Sequence, residues 1–289
     1  MSELSIIIPA YNEEQSIASM LDALLPIAQA QTWQVIVVND GSEDGTSTAL
    51  AAYMHHDGLL RIITHRVNRG YGAALKTGIH AAQTPFVGTM DSDGQHRTED
   101  FVALAQHKDA YDLVIGRRPS VLAGPAWRAP GKLLLQLMAV ALIRQPIPDL
   151  NSGMRIFRRE TVLRYMHLFP NGFSFSTTST MIFMHRGYAV HFHPITVRPR
   201  AGKSTVKLST GFDTILLVIR IAMLLDPLRL FLPISALFIL VGVAWTLPFL
   251  LRQEGYSIGA LLLILTGVQI FIVALISDQI AALRKERFE

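Results

Sequence analysis

Short apolar runs and longer mixed stretches alternate along the chain up to about residue 210. Leu4–Pro9, Trp33–Asn39, Leu60–Thr64, Phe86–Met90 and Asp112–Ile115 are apolar or β-branched runs of strand length. Between the first four lie Glu14–Ala28, Asp44–Met54 and Gly72–Ala82, which read as helices. This β-α-β-α-β-α-β rhythm predicts an α/β fold: a parallel sheet with helices on both faces. In such sheets ligands gather beyond the C-terminal ends of the strands. Chemistry is therefore expected immediately after each run.

The pattern changes near residue 230. Leu230–Leu251 and Gly255–Ser277 contain no charged residue, and each exceeds the roughly 20 residues that a helix needs to cross a ~30 Å hydrocarbon core. Pro233 and Pro248 fall near the ends of the first span, where a break costs least. Arg252-Gln253-Glu254 leaves room only for a tight connection, so the spans are expected as an antiparallel transmembrane hairpin. Arg220 and Arg229 precede it, and Arg284, Lys285 and Arg287 follow it. The positive-inside rule then puts both chain ends in the cytosol. Leu133–Ile143, apolar except for Gln136 and flanked by Arg128, Lys132 and Arg144, and Ile215–Leu225, apolar except for Arg220, are too short to cross. Their basic flanks suit helices lying in the interfacial plane. Leu4–Ala10 has no basic segment before it, so no signal peptide is expected. The resulting organisation is an α/β domain over 1–210, an interfacial amphipathic helix over 211–227, a hairpin over 228–283 and a cytosolic tail over 284–289.

Composition agrees with this division. Half of the 289 residues are hydrophobic and only 17% are charged, against about 25% in ordinary soluble domains. The absence of cysteine excludes a disulfide scaffold, thiolate metal sites and a cysteine nucleophile. A net charge of +4 suits anionic substrates or a membrane surface better than sequence-specific DNA, and no nucleic-acid partner is expected.

Polar residues cluster at the strand ends. Pro9-Ala10-Tyr11-Asn12-Glu13-Glu14 follows the first run. It reads either as a base-binding slot, with a ring to stack and an acid to accept a hydrogen bond, or as a turn capped by Asn12. Asn39-Asp40-Gly41-Ser42-Glu43-Asp44-Gly45-Thr46 follows the second. Turn chemistry accounts for its glycines and for Asp44 or Ser42 as a helix cap, while Asp40 is placed to reach a ligand at the sheet edge. After the fourth run comes Asp91-Ser92-Asp93-Gly94-Gln95-His96. On an extended segment Asp91, Asp93 and Gln95 converge. Two carboxylates and an amide oxygen suit a hard divalent cation, which also relieves their mutual repulsion. Asn68-Arg69-Gly70-Tyr71-Gly72 opens the third helix, whose N-terminus suits a pyrophosphate. Leu75 stands where a dinucleotide-binding fingerprint needs its third glycine. Gly202-Lys203-Ser204-Thr205 lacks the first glycine of a phosphate-binding loop, since Val197 occupies that place. His191 and His193, on a strand-like run beside Pro194, read as structural rather than as a metal pair.

Together these motifs, with Gly116-Arg117-Arg118 and Asn151-Ser152-Gly153-Met154-Arg155, run in order from about residue 4 to 208. The set resembles family 2 glycosyltransferases of the GT-A fold, in particular the dolichyl- and polyprenyl-phosphate sugar synthases. That resemblance implies a Rossmann-like nucleotide-sugar-binding domain. Pro9, Tyr11, Glu13 and Asp40 would hold the nucleoside, and Asp91, Asp93 and Gln95 would hold Mg²⁺ or Mn²⁺ with the donor pyrophosphate. Arg117 or Arg118 and Arg128 would meet the lipid phosphate of the acceptor. Lys132 stands where the family pattern has a serine; Ser152, Arg155, Arg200 and Lys203 would complete the acceptor or phosphate side. The implied reaction is inverting transfer of a hexose, with GDP-mannose or UDP-glucose leading among donors, to a polyprenyl phosphate at the cytosolic face. Self-association is also an expectation of the resemblance. A processive polysaccharide synthase is the first alternative, but its Gln-x-x-Arg-Trp motif is missing and Thr98-Glu99-Asp100 reads better as a helix start. A non-catalytic nucleotide-sugar-binding membrane scaffold is the second.

Overall fold

Alternating buried positions build a seven-stranded sheet in the computed structural model, which describes residues 2–119, 142–197 and 222–286, apart from 57, 254 and 256, together with 140, 219 and 220. The chain divides into two compact units, Met1–Lys132 with Gln145–Leu208, and Leu133–Arg144 with Ser209–Glu289.

In the first unit the strands are β1 (Leu4–Ala10), β2 (Gln34–Asn39), β3 (Leu60–Thr64), β4 (Phe86–Thr89), β5 (Leu113–Arg117), β6 (Arg155–Arg158) and β7 (Val190–Pro194). Helices α1 (Ile17–Ala30), α2 (Thr46–Ala51), α3 (Tyr71–Ala81), α4 (Thr98–Ala105), α5 (Arg159–Arg164) and α6 (Phe175–His185) connect them. The sheet order is β3-β2-β1-β4-β6-β5-β7. β1 is fully buried along its length and pairs in parallel with β2 and β4, as expected for a strand covered on both faces. Leu21 and Leu24 of α1, Phe101 and Leu104 of α4 and Trp33 close one core over Ile6, Ile8 and Val37. Each such side chain contributes about 1.5–3 kcal/mol when fully buried.

The sheet corrects the all-parallel expectation. β6 runs antiparallel to both β4 and β5. Its four residues, Arg-Ile-Phe-Arg, are too short and too charged at the ends to announce a strand in the sequence. The reversal returns the chain through the middle of the sheet and brings the 149–154 loop to the C-terminal end of β4.

The second unit contains α7 (Pro227–Leu251) and α8 (Ile258–Glu286), which form an apolar helical hairpin. Both begin within three residues of the expected spans, α7 ends where expected, α8 runs on past Ser277 to Glu286, and both are long and apolar enough to cross a membrane. Ser235 donates from Oγ to the Gly267 carbonyl at 2.8 Å. A Cβ on Gly242 would lie 2.9 Å from the Ala260 carbonyl oxygen, so the absence of one permits the close approach. Of the expected interfacial segments, most of Leu133–Ile143 lies outside the described residues, whereas 219–220 and 222–225 of Ile215–Leu225 are described and helical.

Helix packs tightly on sheet at Gly88 in β4, where an added Cβ would stand 2.3 Å from Cζ of the fully buried Phe101. Gly88→Ala is expected to cost about 1–3 kcal/mol through overpacking. Gly172→Ala, where nothing lies within 4 Å, is the matched control. Thermal melts of the two variants should separate clearly, with only the first shifted downward.

Candidate active site

The loops that leave β1 and β2 are zipped together by their own polar groups. The Asn12 amide donates to Ser42 Oγ at 3.1 Å, the Glu13 amide to Thr46 Oγ1 at 2.8 Å and the Glu14 amide to Asp44 Oδ2 at 3.2 Å. Asn12 has φ of 55° and accepts the Glu43 amide at 2.9 Å, so it ties the loops rather than capping α1, whose N-cap is Ser16. Burial alone would raise the Asp44 carboxyl pKa, but hydrogen bonds from Thr46 and from the Glu14 amide hold it below the ordinary value. Pro9 is buried in β1, Tyr11 is half-buried beyond it, and Glu13 accepts from Ser16 Oγ at 2.6 Å.

Asp40 is buried at the end of β2 and already engaged. One oxygen meets His65 Nδ1 at 2.6 Å and the Arg69 amide at 3.0 Å; the other accepts the Gly70 amide at 2.8 Å. These contacts fix the turn that launches α3. Gly70 has φ of 98°, and a Cβ there would meet the Asn171 carbonyl oxygen at 2.6 Å. That same carbonyl accepts the Ala73 amide, which uses up one of the helix N-terminal donors expected for a pyrophosphate.

Launching α3 at this point delivers Tyr71, which sequence reasoning overlooks. Its hydroxyl donates to Asp91 Oδ1 at 2.8 Å, and its ring stacks on Phe173 at 5.3 Å. Burial, reinforced by the Asp91 charge, raises its pKa well above the ordinary value, so the phenol stays a donor. The 91–96 segment is a turn rather than the extended run expected. Asp93, buried, accepts the Gln95 amide at 3.1 Å across Gly94, which has φ of 69°. A short chain with an aspartate two residues before an amide closes such a turn by itself. Asp91 and Gln95 are half-buried. Nearby, His96 Nδ1 is buried without a hydrogen-bond partner among the described residues, 4.0 Å from Asp91 Oδ2. An oxygen-rich set beside an orphaned imidazole nitrogen fits a divalent cation.

The loop before β6 packs on the other side of Asp91. A Cβ on Gly153 would sit 2.2 Å from Asp91 Oδ2, so only glycine permits this approach. Thr89 Oγ1 donates to the Gly153 carbonyl at 2.6 Å. Arg155, expected from the resemblance on the acceptor side, is instead fully buried. It donates to the Ser152 carbonyl at 2.6 Å, the Leu150 carbonyl at 2.9 Å, Ser179 Oγ at 3.0 Å and Thr180 Oγ1 at 2.7 Å. Burial lowers its pKa to about 10, still well above neutrality. Ser152 is also fully buried and presents no surface to an acceptor. The hydroxyl-rich stretch 176–180 of α6, all of it buried, exists to receive this guanidinium and the loop; Thr177 also donates to Asn151. The Ser-Thr-Thr-Ser-Thr run was the available signal.

The two arginines at the end of β5 differ. Arg117 is exposed. Arg118 is locked on fully buried Asp149 through Nε at 2.7 Å and Nη2 at 2.8 Å. Hydrogen bonding to Asp149 raises the Arg118 pKa; burial would raise that of Asp149, but Arg118 holds it below the ordinary value. Asp149, missed in the sequence, also accepts the Asn151 amide at 3.0 Å, and so belongs to the loop that meets Asp91. Thr98-Glu99-Asp100 begins α4, with both acids in its first turn, as expected of a helix start. Arg128, Lys132, Arg200 and Lys203 lie outside the described residues.

Residues 5–165 match glycosyl transferase family 2, and residues 226–283 match the GtrB C-terminal hairpin. The chain belongs to glycosyl transferase family 2. It is 29% identical over 175 residues to a dolichyl-phosphate beta-glucosyltransferase of Trichomonas vaginalis, covering 55% of this chain and 54% of that protein. It is 33% identical over 171 residues to a dodecaprenyl-phosphate galacturonate synthase of Rhizobium johnstonii, covering 55% and 49%. The chain thus spans about half the length of these curated relatives. Among solved structures, glucosyl-3-phosphoglycerate synthase of Mycobacterium tuberculosis, in complex with Mn²⁺, UDP and phosphoglyceric acid, superposes with a TM-score of 0.60. The identity is 20%, over 76% of this chain and 78% of that one. That likeness establishes the GT-A fold.

Removing the Arg155 guanidinium strands two loop carbonyls in the core. Arg155→Met is expected to cost about 3–5 kcal/mol, the scale on which breaking a buried charged network operates. A thermal melt of the full chain in detergent should register it as a drop of roughly 6–20 °C, with Arg155→Lys recovering part of the loss.

Proposed function

We propose that the chain transfers a hexose, with inversion at the anomeric carbon, from a nucleotide-diphosphate sugar to a polyprenyl or dolichyl monophosphate at the cytosolic face of a membrane. The observation that carries this reading is the acidic turn at Asp91–Gln95, held from both sides by Tyr71 and Gly153, in a family 2 domain followed by a matching hairpin. The names of the curated relatives support a lipid-phosphate acceptor, and the first of them favours a glucosyl donor over GDP-mannose. The basic residues flanking the hairpin support cytosolic termini.

Tyr11 and Glu13 line the nucleoside end, and Asp40 acts there by holding Arg69 and Gly70 in place. Asp91, Asp93 and Gln95 would hold Mg²⁺ or Mn²⁺, which when bound offsets the charge of the departing diphosphate. Tyr71 orients Asp91 for that task. A phosphate monoester, with a second pKa of about 6, is already an anionic nucleophile at neutral pH, so the chain needs no strong general base. Its own work is to bring two anions together. Arg117, exposed at the end of β5, is the described guanidinium able to meet the acceptor phosphate; Arg118 acts by fixing the loop through Asp149. Arg128, Lys132, Arg200 and Lys203 would complete the acceptor side.

A donor screen against undecaprenyl and dolichyl phosphate in liposomes tests the reaction. Asp93→Ala is expected to abolish metal-dependent transfer, and full activity in that variant rejects the assignment. Arg117→Ala is expected to raise KM for the lipid phosphate about 10- to 100-fold, the worth of one hydrogen bond to a charged group, while KM for the donor stays unchanged.

A further inference from the structure

Away from the strand-end loops, three histidines from two distant stretches of sequence meet at the edge of the sheet. His191 and His193 sit two residues apart on β7, the terminal strand, and so share one face. His107 follows α4 and lies against both, with ring centroids 4.6 Å from His191 and 5.2 Å from His193. One ring nitrogen from each lies within 4.8 Å of the other two, and all three residues are half-buried. Tyr111 stacks on His191 at 4.8 Å and walls one side.

We infer that His107, His191 and His193 form a binding site for a borderline divalent transition metal of the zinc class, separate from the acidic turn. Three imidazoles without a carboxylate select zinc, cobalt or nickel over magnesium or manganese. Small side-chain rotations bring the three nitrogens to bonding distance of one ion, with water as the fourth ligand.

The location gives the site a consequence. β7 is a five-residue edge strand with no buried residue, so apolar burial anchors it weakly. The chain leaving it donates the Ile195 amide to the Arg117 carbonyl, the Thr196 amide to Asp100 Oδ2, and bridges Val197 to His96. An ion joining β7 to the segment after α4 therefore clamps the strand that leads to Arg117 and to the acidic turn.

The test uses the untagged full chain in detergent, with saturating Mg²⁺ present. Zn²⁺ is titrated by calorimetry, and Co²⁺ by its visible absorption. One ion per chain is expected, with Co²⁺ showing the intense bands of a tetrahedral site. His107→Phe, His191→Phe and His193→Phe keep a ring for stacking but remove the donor. Each is expected to weaken Zn²⁺ binding at least about tenfold, no less than the loss of a mere supporting contact to a metal ligand. Asp93→Asn is expected to bind Zn²⁺ as the parent does. Unchanged Zn²⁺ affinity in the three phenylalanine variants, or loss of the ion in Asp93→Asn alone, overturns the site. So does the absence of stoichiometric binding to the parent chain. Thermal melts without metal show whether each variant is folded.

Discussion

The buried Arg155 cation organises the loops at the strand ends of the first unit. The Arg155 guanidinium has no access to water and is satisfied by two carbonyls of its own loop and two hydroxyls of α6. Burying such a charge is costly unless it is hydrogen-bonded, and these four bonds hold the loop on its path. That path sets Gly153 against Asp91, and Tyr71 closes on the same carboxylate from the opposite side. Asp149 and Arg118 brace the loop at its other end. The acidic turn is thus positioned by a network of groups packed around it.

The same logic governs the first two loops. Asp40 and Asp44 spend their oxygens on backbone amides, a use that keeps each loop in one conformation. Polar residues at the ends of the strands divide into those that face outward and those that hold them. Arg117 and Arg118, adjacent in sequence, fall on opposite sides of that division.

Much of this was legible in the chain. The apolar and β-branched runs located β1 to β5, most plainly β1, whose cover on both faces demands continuous apolar residues. The uncharged stretches located the hairpin for the corresponding reason in hydrocarbon. β6 was hidden because its two central apolar residues are bracketed by arginines, one of which is buried by long-range partners that local pattern cannot reveal. Asp149 and Tyr71 escaped for a similar reason: their partners lie 31 and 20 positions away. The acidic motif was recognised but its backbone was misread, since Asp93 folds back on the Gln95 amide and makes a turn where alternation implied a strand.

The hairpin's inner seam of Ser235, Gly242 and Gly267 leaves leucine, isoleucine, valine and phenylalanine to cover the outside. Two rods so joined enter a bilayer as one object, and the polar load that must be carried through the oily layer is confined to Arg252, Gln253 and Glu254. A hairpin that crossed in this way would surface with both outer ends on one side, a tether from that side only.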